Sequence, residues 1–417
     1  MKVKISSIIK FIFVVLILIR YSFLKLLGNQ LTIFSTAYDQ YPMVMFYIFM
    51  VIFLFLFSRV YSVEAKYLWI LSVLCLFATG VGIYSATSNN GLDFMGALSQ
   101  GIEYIYVILA IPLCYLLNNE LWDFRNLLKL LVVLGIVSYA IRWGISFYYD
   151  VSGTVAFPNI AQESASSEWI REGVLRVNPP FIGIIFAPIV YYLALTTSKK
   201  FHKWIYYLCI VMVIAYTIRI HQARSLMIYQ LVAVVVLLIF QKVTDRKKLL
   251  RIGILFIGIV ILVNTSWFSN LVDSFSKSNA DYGGSTRARI NAIAGFGVDF
   301  LKSPVFGFGF LESDAQRLTI GGHITDIGIL HSIFMLGIPI VVVFLMIFIR
   351  GFYVYSKANK VGMCDEALLV LGMTVLVMMT GINIDLFVGI FSFAIPFYLA
   401  ITEYVLHRSR EYEIWES

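Results

Sequence analysis

The sequence predicts an all-α polytopic membrane protein of about twelve transmembrane helices, and three observations predict it. Of its 417 residues, 60% are hydrophobic and 13% charged, where ordinary globular domains carry about twice that charged share. Apolar runs of about 20 residues, each long enough to cross a bilayer, recur along the chain. Lysine and arginine cluster on alternate short connections between these runs. Length alone would allow two or three soluble domains, but the recurring runs make residues 1–417 a single integral membrane domain.

The first span, about 5–26, follows Met1-Lys2-Val3-Lys4 and looks like a signal peptide. No small-residue cleavage site follows it, so it is expected to stay as a helix. Further spans read at about 42–60, 67–86, 98–117, 128–148 and 181–197, and then at about 205–220, 225–242, 249–267, 327–350, 367–381 and 386–403. Two connections are long, 149–180 and 268–326. Arg59/Lys66, Arg125/Lys129, Lys199/Lys200/Lys203, Lys242/Arg246/Lys247/Lys248 and Lys357/Lys360 share one side with the N-terminus and Arg408/Arg410. The excess of positive charge makes that side cytoplasmic, so both termini are expected inside and both long loops outside. The four cysteines (Cys75, Cys114, Cys209, Cys364) form no CxxC pair and suggest neither a disulfide framework nor a zinc site.

Sorting the 32 basic residues by this topology separates two kinds of charge. The inner side takes thirteen lysines and seven arginines; the outer side takes three lysines and nine arginines, at 20, 142, 171, 176, 219, 224, 287, 289 and 317. Orientation needs only positive charge, so the outer preference for arginine calls for another reason. The planar guanidinium binds phosphate or carboxylate through two parallel hydrogen bonds, which an ammonium cannot do. Some of these arginines are expected to snorkel or to pair with Glu103, Glu163, Glu168, Glu172 or Asp326, but the set as a whole points to an anionic ligand.

The stretch GGSTRARINAIAGFGVDFLKSPVFGFGF, residues 283–310, carries this argument furthest. Residues 286–302 read as a helix with Ser285 as N-cap and a stop at Ser303-Pro304. At helical spacing Arg289 shares an apolar stripe with Ile293, Phe296 and Phe300, whereas Arg287 lies on another face. A solvated charge has no reason to sit on that stripe. The alternative is an amphipathic helix lying in the interface, its basic residues meeting membrane lipid headgroups. Arg219 and Arg224 flank a short hairpin at 216–230, and Arg171 and Arg176 precede Asn178-Pro179-Pro180. His323 and Asp326 stand at the mouth of the span beginning at about 327, with His331 about two turns further in. There is no HExxH, no GxxxxGK[ST] and no paired-aspartate metal site, so neither a metal nor a cofactor is expected, nor a nucleic-acid partner.

These residues resemble the O-antigen polymerase/O-antigen ligase superfamily, the Wzy-type and WaaL-type membrane glycosyltransferases. Arg289 stands fifteen residues before Pro304, which opens Pro304-Val305-Phe306-Gly307-Phe308-Gly309, similar to the family's R…P-x-x-G-x-G stretch. ARSLMIY at 223–229 is similar to its Ser-Arg element at the head of a span and brings in Arg224. Ligases carry His-Asn about eleven residues before a Gly-Ile pair; here that position is Asp326, with His323 three residues earlier, and TDIGIL looks more like the polymerases. The resemblance implies a GT-C-like fold and metal-independent transfer from an undecaprenyl-pyrophosphate-linked oligosaccharide at the outer face of the bacterial cytoplasmic (inner) membrane. Arg289, His323 and Asp326 are the expected catalytic residues, and Arg287, Arg224, Arg219, Arg176 and Arg171 the expected pyrophosphate and glycan contacts. A chain-length regulator protein is a further expected partner. The expected function is polymerisation of lipid-linked repeat units. The alternatives are an O-antigen ligase with a different acceptor, or a lipid-linked oligosaccharide flippase.

Overall fold

The computed structural model describes residues 5–27, 47–53, 55, 65–161, 170–171, 173–242, 250, 253, 257, 264–273, 275–276, 283–312, 315–316, 318 and 321–416. They are mostly helical. Six helices are long and apolar enough to cross a membrane: Lys66–Asn89 (α2), Phe94–Asn118 (α3), Phe124–Ser152 (α4), Lys200–His221 (α6), Ile338–Lys360 (α11) and Cys364–Gly381 (α12). Ile5–Arg20 (α1), Phe186–Thr196 (α5), Arg224–Phe240 (α7) and Ala394–Glu416 (α13) complete the bundle, and the short helix Ser266–Asp273 (α8) follows α7 in the chain. The span expected at 249–267 and much of that at 42–60 fall outside the described residues.

Helix boundaries follow from local chemistry. Asp93 and Asp123 cap α3 and α4, their carboxylates accepting the N–H of Gly96 at 2.8 Å and of Asn126 at 2.7 Å. Of the six long apolar helices, α3 and α12 are the most buried, and α12 packs on α11, α7 and α5. The peripheral helices keep apolar stripes uncovered at helical spacing: Trp204, Leu208 and Val211 on α6, and Ile338, Val342, Leu345 and Ile349 on α11. Such stripes suit a hydrocarbon solvent and make the chain a multi-pass membrane protein.

Side chains distinguish two ends of the bundle. At one, Arg125 reaches the Thr196 carbonyl at 3.0 Å and Lys357 pairs with Glu413. At the other, Asn90 donates to the Phe308 and Phe310 carbonyls at 3.0 and 2.8 Å, and Arg20 to that of Gly389 at 3.2 Å. The second end also holds the helix Gly283–Lys302 (α9) and a two-stranded hairpin, in which Ile170 opposes Leu175 and Arg171 opposes Val174. We call it the loop end.

Two expectations are corrected here. The apolar run at 327–350 is divided, with Ile329–Leu336 (α10) separated from α11 by Gly337 at φ 70° and ψ −154°. Helix α9 begins at Gly283, so Ser285 sits inside its first turn and is not its N-cap.

Candidate functional site

Helix α9 lies across the segment that joins it to α10. Ala292 and Phe296 are buried, Phe296 stacks on Phe308 with centroids 6.2 Å apart, and Phe300 stacks on Phe334 at 5.1 Å. Ile293, expected on the same stripe, is 42% exposed, so the packed face is rotated towards Ala292. Gly322 lets the returning chain pass close to α9; a Cβ there would stand 2.7 Å from the Ala292 nitrogen. This crossing fixes the register of Arg289, half-buried, whose Nε donates to the Asp326 carbonyl at 3.2 Å. The bond uses one edge of the guanidinium and leaves the Nη groups for a ligand. Arg287 is exposed on another face, as its position in the helix implies.

His323 and Asp326 do not share a face of a continuous helix. His323 is extended (φ −121°, ψ 129°) and caps the 3-10 turn Ile324–Ile327, its Nδ1 accepting the Thr325 N–H at 3.3 Å and lying 2.6 Å from the Thr325 hydroxyl. Asp326 is exposed within that turn, and α10 has no side-chain cap, so the carboxylate does not cap it.

The Pro304–Gly309 stretch has a structural task. The last turn of α10 presents free carbonyls; Phe308 N–H donates to Phe334 at 3.1 Å and Gly309 N–H to Met335 at 3.0 Å. Ile338 N–H in turn donates to Val305 at 3.0 Å. Gly309 has φ 87°, and a Cβ there would run into the backbone of Ser85 and Ala86 on α2. The glycines thus hold the break between α10 and α11.

The remaining arginines gather around the hairpin between α6 and α7. Helix α6 ends in a π-turn, Thr217–His221, and Gln222 takes the left-handed conformation at φ 52°. The widened turn leaves the His221 carbonyl to Arg176, whose Nε donates at 3.0 Å. Gln222 spans the carbonyls of Arg171 and Arg219, both at 3.5 Å. Arg224, in the first turn of α7, lies over the Phe275 ring at 4.8 Å. Five residues on, the Tyr229 hydroxyl accepts from Asn383 at 2.8 Å and is within electrostatic reach of Arg289.

Arg289 thus comes within reach of Tyr229 on α7, the helix whose first turn carries Arg224, while Arg171, Arg176 and Arg219 border the turn between α6 and α7. Among the described residues, no carboxylate pairs with Arg219, Arg287 or Arg289. Arg317, Glu163, Glu168 and Glu172 lie outside the described residues. Also among the described residues, no group of three His, Cys, Asp or Glu side chains is arranged to hold a metal ion. The arrangement can grip an anion with several oxygens from more than one direction. Sequence reasoning missed Tyr229, Asn383 and Asp385; only Asp385 carried a signal, as a lone carboxylate in the apolar run GINIDLFVGIF.

Compared with known proteins, the chain matches no family model and no curated relative.

Proposed function

We propose that the protein is a glycosyltransferase of the membrane that joins lipid-pyrophosphate-linked oligosaccharide repeat units, with the loop end facing outward. One observation carries the reading. At one end of an otherwise apolar bundle, Arg219, Arg287 and Arg289 pair with no carboxylate among the described residues, and Arg289 is held there by a backbone bond that leaves its fork free. An uncompensated guanidinium at a membrane boundary is costly, and a pyrophosphate leaving group offsets that cost. Charge accumulates on the bridging oxygen as the glycosidic bond breaks. Donors already fixed in place stabilise that charge more in the transition state than in the ground state. Arg289 and Arg224 grip the pyrophosphate, with Arg287, Arg219, Arg176 and Arg171 guiding lipid-linked glycan towards them. The acceptor sugar approaches over His323 and Asp326.

Deleting the gene in its host and sizing the surface glycan tests the reading. Single repeat units are expected; full-length chains missing only from their final acceptor would favour a ligase. A flippase is the second reading, favoured by the break between α10 and α11, since discontinuous helices recur in transporters. It would move lipid-linked substrate without changing its chain length.

A further inference from the structure

The bundle interior holds a second polar assembly, reached by none of the arginines of the site. Asp385 is 3% exposed, in the irregular segment between α12 and α13. Its Oδ2 lies 2.7 Å from His331 Nδ1 and accepts the Ser332 hydroxyl, while Oδ1 accepts the Phe387 N–H at 2.8 Å. Ser332 shares a 2.7 Å hydrogen bond with Tyr104, on a 3-10 stretch (Ile102–Leu109) inside α3. The ionisable groups packed around this set are Glu103 and Tyr104 on α3, Cys75 on α2, which donates to the Tyr104 carbonyl at 3.4 Å, and Arg20 on α1, 4.0 Å from Glu103. A buried acid–imidazole pair stabilises a fold no better than apolar side chains of the same volume. A structural tie alone therefore gives a weak reason for it.

The geometry gives a stronger one. His331 is in the first turn of α10, its N–H bonded to Gly328 at 3.0 Å, directly behind the 3-10 turn that receives Arg289. Asp385 fixes Nδ1, which leaves Nε2 as the proton-accepting nitrogen. Nε2 has no hydrogen-bond partner among the described residues, and it is not one of the sealed, unpartnered polar atoms.

We propose that His331, oriented by Asp385, removes the proton from the sugar hydroxyl that attacks the lipid-linked donor; this rests on the glycosyl-transfer reading above. The hydroxyl oxygen forms its bond to the anomeric carbon as the bond from that carbon to the pyrophosphate oxygen breaks. The pyrophosphate leaves with the electron pair, and the proton passes to His331 Nε2. The resulting imidazolium faces the Asp385 carboxylate. His323 and Asp326 then hold the acceptor without taking its proton.

The test uses the full chain in lipid nanodiscs with a synthetic pyrophosphate-linked repeat unit, reading initial rates of chain extension and donor binding separately. His331→Gln is expected to lower kcat by about a hundredfold or more with donor affinity unchanged. Asp385→Asn should also lower kcat, and His323→Ala far less. Wild-type rates from both His331→Gln and Asp385→Asn would overturn the proposal. If the wild type extended no chain at all, the glycosyl-transfer reading would fall with it. Extension by the wild type that is lost in Arg289→Ala but kept in both dyad variants would sink the dyad role alone.

Discussion

In the proposed site Arg289 is the central residue, and its chemistry makes a sharp prediction. With Nε committed to the Asp326 carbonyl, only a planar fork can still present two parallel donors to phosphate oxygens. Arg289→Lys is therefore expected to shorten surface-glycan chains nearly as severely as Arg289→Ala, in a complemented deletion strain with membrane levels checked by blot. Wild-type ladders from the lysine variant would rule out bidentate binding. A different arginine is structural. Arg350 meets Glu403 through two bonds of 2.6 and 2.7 Å and lies over the Tyr67 ring at 4.5 Å, tying α11 to α13 and α2. Glu403 is 5% exposed, so Arg350→Met should cost about 3 kcal/mol or more by stranding a carboxylate, and adding Glu403→Met should restore much of that. Thermal unfolding in detergent measures both. Arg289 drew notice in the sequence because a charge on an apolar stripe breaks a period, although the packed face turns out to be rotated towards Ala292. Asp385 was not placed there, because its partner His331 is 54 residues away and no local spacing links them.

At the scale of elements, the instructive case is the divided run at 327–350. Hydropathy sees one span because every side chain across the break is apolar; Met335, Leu336, Ile338 and Pro339 flank Gly337. What divides it is backbone conformation, Gly337 at φ 70°, stabilised by hydrogen bonds from Phe308 and Gly309. Neither is a property of the run itself. The same bonds explain why Gly309 admits no side chain. Gly309→Ala is expected to cost at least about 1–2 kcal/mol for the left-handed backbone, with a clash against α2 in addition. The variant should appear as reduced membrane protein and a lower melting temperature. A change in donor affinity at normal abundance would instead assign the glycine a direct contact with ligand. The caps were missed: Asp93 and Asp123 cap α3 and α4, whereas the apolar runs read from the sequence start later, at about 98 and 128.

For the whole molecule, the sequence made the membrane bundle plain, because the composition allows no other solvent for so much apolar surface. The meeting of arginines at one end was legible only as a tally of charges by side. Where each one sits depends on the π-turn at Thr217–His221 and on α9 crossing the chain at Gly322, both outcomes of tertiary packing. If arginine supplies the charge that a divalent ion otherwise would, purified protein should extend a synthetic lipid-linked repeat in the presence of EDTA. A strict requirement for added magnesium or manganese would overturn the arginine-only mechanism.

The bonds from Phe308 and Gly309 to the end of α10 also set a timetable for synthesis. A chain made in order exposes residues 305–309 before their partners at 334–338 exist. At about 5–20 residues per second, that interval lasts about one to six seconds. Throughout it two backbone donors and an aromatic-rich segment wait at the membrane boundary with nothing to close on. Substitutions in 305–309 should therefore first be felt during biogenesis, as chains recognised and degraded before the bundle closes, and only afterwards as slower chemistry in the molecules that survive.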